Sequence, residues 1–171
     1  MTPLGEGDID EITLRAAFAR FPSGVVSVCA VVEGHPVGLT ASTFVPVSLN
    51  PPLVAFCVQN TSGTWPRLRA RPRIGVSVLG EAHEHVARSL AAKTGDRFAG
   101  LTLRTTELGA VFLDGASAWL DCSVEQQVPA GDHTIALLKV HALQSTPGVQ
   151  PLVFHGSTFR RLDQLAPADG T

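Results

Sequence analysis

Thr40, Ala41, Ser42 and Thr43 stand in a row between a strand-like segment and the Pro51-Pro52 pair. Three of the four carry hydroxyls. With their backbone N–H groups they offer many hydrogen-bond donors and acceptors in a small volume. Such a set suits a polar strand rim with a turn, or a cradle for a ligand. Phe44, Val45 and Val47 alternate with Pro46 and Ser48, which predicts extended chain. Pro46, Pro51 and Pro52 lack backbone donors, so the segment belongs away from the middle of a sheet.

His133 is a second centre. It follows Gly131 and Asp132 in a turn that opens a strand. An imidazole at a rim turn can donate a hydrogen bond or a proton near neutral pH, or simply face solvent. Arg97, in Asp96–Gly100 (DRFAG), can pair with Asp96 or bind an anion. His83-Glu84-His85 is the one dense histidine cluster. On a helix, residues i and i+2 point about 200° apart, so these imidazoles cannot share a metal. They read as an exposed helix start. His35, His141 and His155 read as turn or strand-surface residues.

Several common chemistries are missing. The sequence has no GxGxxG after a strand, no GxxxxGK[ST], no GxSxG and no CxxC pair. Net charge is −2 and no basic block favours phosphate-driven nucleic-acid binding. No apolar run reaches the roughly 20 residues a membrane span needs. The N-terminus lacks a charged-then-apolar leader, which points to a cytoplasmic protein. Cys29, Cys57 and Cys122 are an odd, widely spaced set in apolar segments, which fits buried free thiols in a reducing compartment. Asn60-Thr61-Ser62 matches a glycosylation sequon only by coincidence in such a setting.

The 171 residues fit one domain, and 44% hydrophobic against 16% charged residues supports a sizeable core. So little charge suggests that some apolar surface is covered by a partner chain. Residues 1–10 read as a loose arm, 11–163 as the domain and 164–171 as a tail. Glu11 to Phe21 carries Leu14, Phe18 and Phe21 at helical spacing, with Asp10 or Thr13 as cap. A Val-rich strand, Gly24 to Val32, turns at Gly34-His35-Pro36 into a return strand. Further strands are expected at Leu53–Gln59, Arg73–Leu79, Leu101–Glu107 and Ala110–Leu113. The long hairpin 118–143 turns at Pro129–Asp132, and short strands lie at Leu152–Phe154 and Ser157–Leu162. Helices are expected at Trp65–Ala70, capped by Thr64, and at Glu81–Ala92. Hairpins outnumber βαβ units, which favours a mainly β fold: an antiparallel barrel with peripheral helices.

These segments together resemble the flavin reductase family with an FMN-binding split-barrel fold. The resemblance rests on FPSGV at Phe21–Val25, GLTASTFVPVSLNPPL at Gly38–Leu53 and RIGVSVL at Arg73–Leu79. It also rests on DRFAG at Asp96–Gly100, Gly131-Asp132-His133, and PLVFHGSTFRRL at Pro151–Leu162. It covers about 140 residues in family order. It implies an NAD(P)H:flavin oxidoreductase that supplies reduced FMN or FAD to a partner monooxygenase, working as a homodimer. By the resemblance, Thr40–Thr43 lie along the flavin, with Ser48 and Asn50 nearby. Gln59, Ser62 and Thr64 approach the phosphate, and Arg97 and Phe98 reach the flavin. Gly131, Asp132 and His133 serve the nicotinamide of NADH or NADPH, with His133 beside it. The family more often has Asn or Ser near Thr43 and Lys at the place of Arg97. A flavin-binding module without turnover, or an interaction domain, is the alternative reading.

Overall fold

The computed structural model describes residues 10–162, so the arm (apart from Asp10) and the tail lie outside the described residues. The chain is mainly β. Helix α1 (Glu11–Phe18) starts at Asp10, whose carboxylate accepts from the Ile12 N–H at 3.0 Å. It ends three residues before the expected Phe21, and none of its residues is buried.

Then come β1 (Ser23–Gly24), β2 (Val26–Val32), β3 (His35–Ala41), β4 (Val45–Leu49) and β5 (Pro52–Gln59). The turn between β2 and β3 falls on Glu33 and Gly34, at φ 53 and φ 80, so His35 and Pro36 already belong to β3. The short helix α2 (Trp65–Leu68) precedes β6 (Ile74–Val78). A 3-10 turn, Glu81–His83, leads into α3 (Glu84–Ala91). The hairpin of β7 (Leu103–Thr105) and β8 (Val111–Leu113) precedes the two longest strands, β9 (Ala118–Ala130) and β10 (His133–Ser145). Pro129 and Ala130 pair with Thr134 and His133, so the expected four-residue turn narrows to Gly131-Asp132. β11 (Val153–His155) and β12 (Thr158–Arg160) close the described chain.

Seven strands form one antiparallel sheet in the order β3-β2-β6-β9-β10-β5-β4. β4 is an edge strand, as its missing proline donor requires. The backbone ladder stays open between the two ends of that order. Thr43, just past β3, bonds to the backbone of Cys57 in β5 and draws those ends together. The result is a split barrel. One apolar cluster fills its inside, built on Val28, Phe56, Ile74, Val76 and Leu138. A second lies outside, where Cys29, Leu79, Leu90 and Leu113 pack beneath α3 and β8. Gly75 is what lets β8 lie this close, because a Cβ there would collide with the Val111 backbone.

One local expectation is corrected. His83 is not part of an exposed helix start: it is buried, and its Nδ1 accepts from the Gly80 N–H at 3.1 Å. Burial holds its pKa below the ordinary histidine value. The reason is packing, since the Asp114-Gly115 turn closes over the ring. Arg69 bonds to Gln127 Oε1 at 3.4 Å, while Arg71 Nε and Arg73 Nη1 are buried, without hydrogen-bond partners among the described residues.

Candidate functional site

Three cavities meet at the end of β3. Ser42 lines all three, and Thr40, Ala41 and Thr43 each line two. The sequence places them there because β3 must end where its partner β2 begins, with Val26 opposite Ala41. Beyond that point the chain leaves the ladder and its small side chains face open space.

The cleft that gathers most of the expected residues holds about 450 Å3. Thr40 to Thr43 form one wall and Leu90 and Ala91 of α3 another. Gln59, Ser62 and Thr64, from the loop after β5, line it with Arg97 and His133. Lys93 completes the lining. Among the described residues no carboxylate borders this cleft, while two permanent cations do, so its chemistry favours an anion. The apolar surface of Leu39, Ala41, Val58 and Leu90 suits a flat ring. A phosphorylated planar ligand fits this donor set without any glycine-rich helix start.

Arg97 is held by Thr64, whose Oγ1 accepts from its Nη1 at 3.2 Å, and by the Gly38 carbonyl at 3.4 Å. Asp96 turns instead to the Phe98 N–H at 2.9 Å, so the expected Asp96–Arg97 pairing does not form. Thr64 is the N-cap residue of α2, as expected, but makes no side-chain capping bond; Ser62 Oγ accepts the Trp65 N–H at 3.2 Å instead. Phe98 lines the neighbouring cavity and packs on Gly38.

His133 reaches the cleft from the β9–β10 turn. Its Nδ1 lies 2.8 Å from Asp132 Oδ1. A carboxylate only accepts, so the ring proton sits on Nδ1 and Nε2 is left for a ligand. The hydrogen bond from His133, and then its charge, hold the Asp132 carboxyl below its ordinary value. Asn60 fixes this turn: its N–H donates to the Asp132 carbonyl at 3.0 Å and its side-chain amide to the Gly131 carbonyl at 3.1 Å. Its Oδ1 accepts from Thr134 at 2.8 Å.

Ser48 and Asn50 line none of these cavities: Ser48 pairs with Leu53 in the β4–β5 ladder, and Asn50 is exposed. Two residues were missed. Asn60 reads locally as part of a sequon, and nothing short-range shows its partners 71 residues away. Lys93 had a signal, since it is one of only two lysines in the chain and stands three residues before DRFAG. Among the described residues no group of His, Cys, Asp and Glu could hold a metal, and no helix is long and apolar enough to cross a membrane. Cys29, Cys57 and Cys122 are free thiols, with Cys57 only half-buried.

The fold is that of a split-barrel protein, with a cleft that sets two cations beside hydroxyls and apolar side chains. The family model described as "Flavin reductase like domain" matches residues 18–163. The chain therefore belongs to the flavin reductase family, and its activity class is NAD(P)H:flavin oxidoreductase. An actinorhodin polyketide dimerase of Streptomyces coelicolor is 40% identical, over 93% of this chain and 90% of its own. The reductase subunit HsaB of a flavin-dependent monooxygenase from Mycobacterium tuberculosis is 33% identical, over 91% of this chain and 84% of its own. The NADH:FAD oxidoreductase SgcE6 of Streptomyces globisporus, solved with NAD and FAD fragments, superposes with a TM-score of 0.84 at 37% identity. That match covers 94% of this chain and 96% of SgcE6.

Proposed function

We propose that this protein works as a homodimeric flavin reductase. Its cleft at Thr40–Thr43 holds FMN or FAD, and His133 orients NADH or NADPH. The observation that carries this reading is the cleft itself, which sets apolar residues beside hydroxyls, has no carboxylate among its described lining residues, and has Lys93 and Arg97 as cations.

The cofactor pair supplies transfer of a hydride from reduced nicotinamide to flavin. This chain's residues supply position. Ser62, Thr64, Lys93 and Arg97 hold the phosphate, and Thr40 and Ser42 offer hydroxyls and N–H groups to the ring edge. Leu90 and Ala91 exclude water from one side. His133, fixed by Asp132, presents Nε2 to the carboxamide or ring of the nicotinamide. No acid or base of unusual strength is needed for the hydride itself. Ser48 and Asn50 keep a role only if a second subunit brings them to its partner's flavin.

Exposed apolar surface supports the dimer. Phe18, Phe21 and Leu49 are 71%, 78% and 95% exposed, and α1 buries nothing within its own chain. Phe18 and Phe21 line a groove of about 970 Å3 together with Phe44 and Val45. The likeness to HsaB supports a partner monooxygenase as the consumer of reduced flavin. A cytoplasmic setting agrees with three free thiols.

Absorption spectra of the purified protein with added flavin test the reading. Flavin absorbance that binds and bleaches on adding NADH or NADPH supports it. Bound flavin that never bleaches indicates a carrier module instead. A protein that neither binds flavin nor oxidises either nucleotide would be an interaction domain.

A further inference from the structure

The cleft does not end at Thr64. A second cavity of about 420 Å3 opens beyond it and shares Gly63, Thr64 and Arg97 with the first. Its walls differ in character. Pro36, Val37 and Phe98 are apolar, while Arg67 is exposed and makes no ion pair among the described residues. The one acidic lining residue, Asp96, has its Oδ1 turned to the Phe98 N–H. At Gly63 and Gly95 a Cβ would meet nothing within 4 Å, so the backbone leaves the passage open.

The three cations are ordered along this surface. Lys93 borders only the first cavity, Arg67 only the second, and Arg97 both. A flavin that ends in one phosphate needs only Lys93 and Arg97. A third cation, followed by an apolar slot, has no use for such a ligand. A pyrophosphate would lie between Lys93 and Arg67 with Arg97 at its centre, and an adenine would meet Pro36, Val37 and Phe98.

We propose that this annex takes the adenosine monophosphate half of FAD, which makes FAD rather than FMN the preferred flavin of this chain. The inference rests on the reading that flavin lies in the adjoining cleft. An adenosine phosphate could also come from the pyridine nucleotide, so the experiment separates the two sources.

The full chain is titrated with riboflavin, FMN and FAD, following flavin fluorescence and, independently, heat of binding. FAD is expected to bind about tenfold more tightly than FMN, the equivalent of one good charge-assisted contact. Arg67→Ala should remove that advantage and leave FMN and riboflavin affinities unchanged, and Arg67→Lys should restore part of it. AMP should compete with FAD and not with FMN. Equal FMN and FAD affinities that Arg67→Ala does not move would overturn the proposal. So would an Arg67→Ala variant that weakens binding of NADH or NADPH and spares FAD. If none of the three flavins binds, the flavin reading itself fails, and this inference with it.

Discussion

Thr43 and Cys57 are joined twice: the Thr43 hydroxyl accepts from the Cys57 N–H at 2.9 Å and donates to the Cys57 carbonyl at 3.2 Å. The β4–β5 register pairs Val45 with Ala55, so two residues back along the chain Thr43 stands opposite Cys57. There a side chain takes over the ladder from the backbone. This hydroxyl anchors the cradle to the barrel and is not free for a ligand. Thr43→Val keeps the shape and deletes both bonds. It should cost ~1–3 kcal/mol and lower Tm by several degrees, since the Cys57 backbone groups are left unpaired. Thermal melts and flavin titrations check this. Thr43→Ser should recover most of the loss.

His133 and flavin should separate in kinetics. His133→Ala is expected to raise KM for the reduced nucleotide, or slow flavin reduction, by roughly tenfold, the worth of one lost hydrogen bond in an open site. Flavin Kd should stay within about twofold. Stopped-flow reduction beside flavin titration tests it, and unchanged kinetics would remove His133 from the site.

Asp132 carries a pH dependence of known sign. Its folded pKa lies below the ordinary value of 3.8, chiefly through the hydrogen bond from His133. A depressed carboxyl adds stability that is present above the unfolded pKa and fades as pH falls through the folded one. Asp132→Asn should therefore lower the urea midpoint near neutral pH, and this deficit should shrink below about pH 4. The side chain is fully exposed, so the effect is small. A deficit that grows on acidification would contradict the assignment.

Much of this was legible in the sequence because period-two patterning and turn residues are local signals. Apart from the two-residue β1, which falls where a turn was expected, the strands lie close to the expected runs, and Pro46 foretold the edge strand. The family was legible only as an ordered set of segments, since a row of Thr, Ala and Ser has many uses. What stayed hidden was long-range. His83 looks solvated in His-Glu-His, until the Asp114-Gly115 turn folds over it. Thr64 does stand at the cap of α2, but its hydroxyl accepts from Arg97, which arrives from 33 residues away. Asn60 holds the His133 turn through partners that no window of neighbours contains.

The two cations can be told apart from the rest of the cleft by the ligand they meet. Riboflavin lacks the phosphate that FMN carries, so FMN should be affected much more by their loss. Lys93→Ala and Arg97→Ala should each weaken FMN by about tenfold, because both groups are partly solvated. Riboflavin should bind as before to Lys93→Ala. Arg97→Ala also frees Thr64 and the Gly38 carbonyl, so a small common loss for both ligands is expected there. Equal losses for riboflavin and FMN in Lys93→Ala would place the phosphate elsewhere.

The thiols offer a probe of the cleft that needs no turnover. Burial pushes the Cys29 and Cys122 pKa values up to about 12. Since the thiolate is the nucleophile, at pH 8 only about one molecule in ten thousand is reactive at either position. Cys57 is half-buried and lines the cleft beside Thr43. Native alkylation should therefore label Cys57 alone, while labelling in denaturant should reach all three cysteines. Bound FMN or FAD should slow the reaction at Cys57 by covering it, whereas free phosphate should not. Mass spectrometry of the labelled peptides reads this directly. If Cys57 reacts at the same rate with saturating flavin, the ring does not lie along Thr40–Thr43. If Cys29 reacts first, the cluster beneath α3 opens more readily than its packing implies.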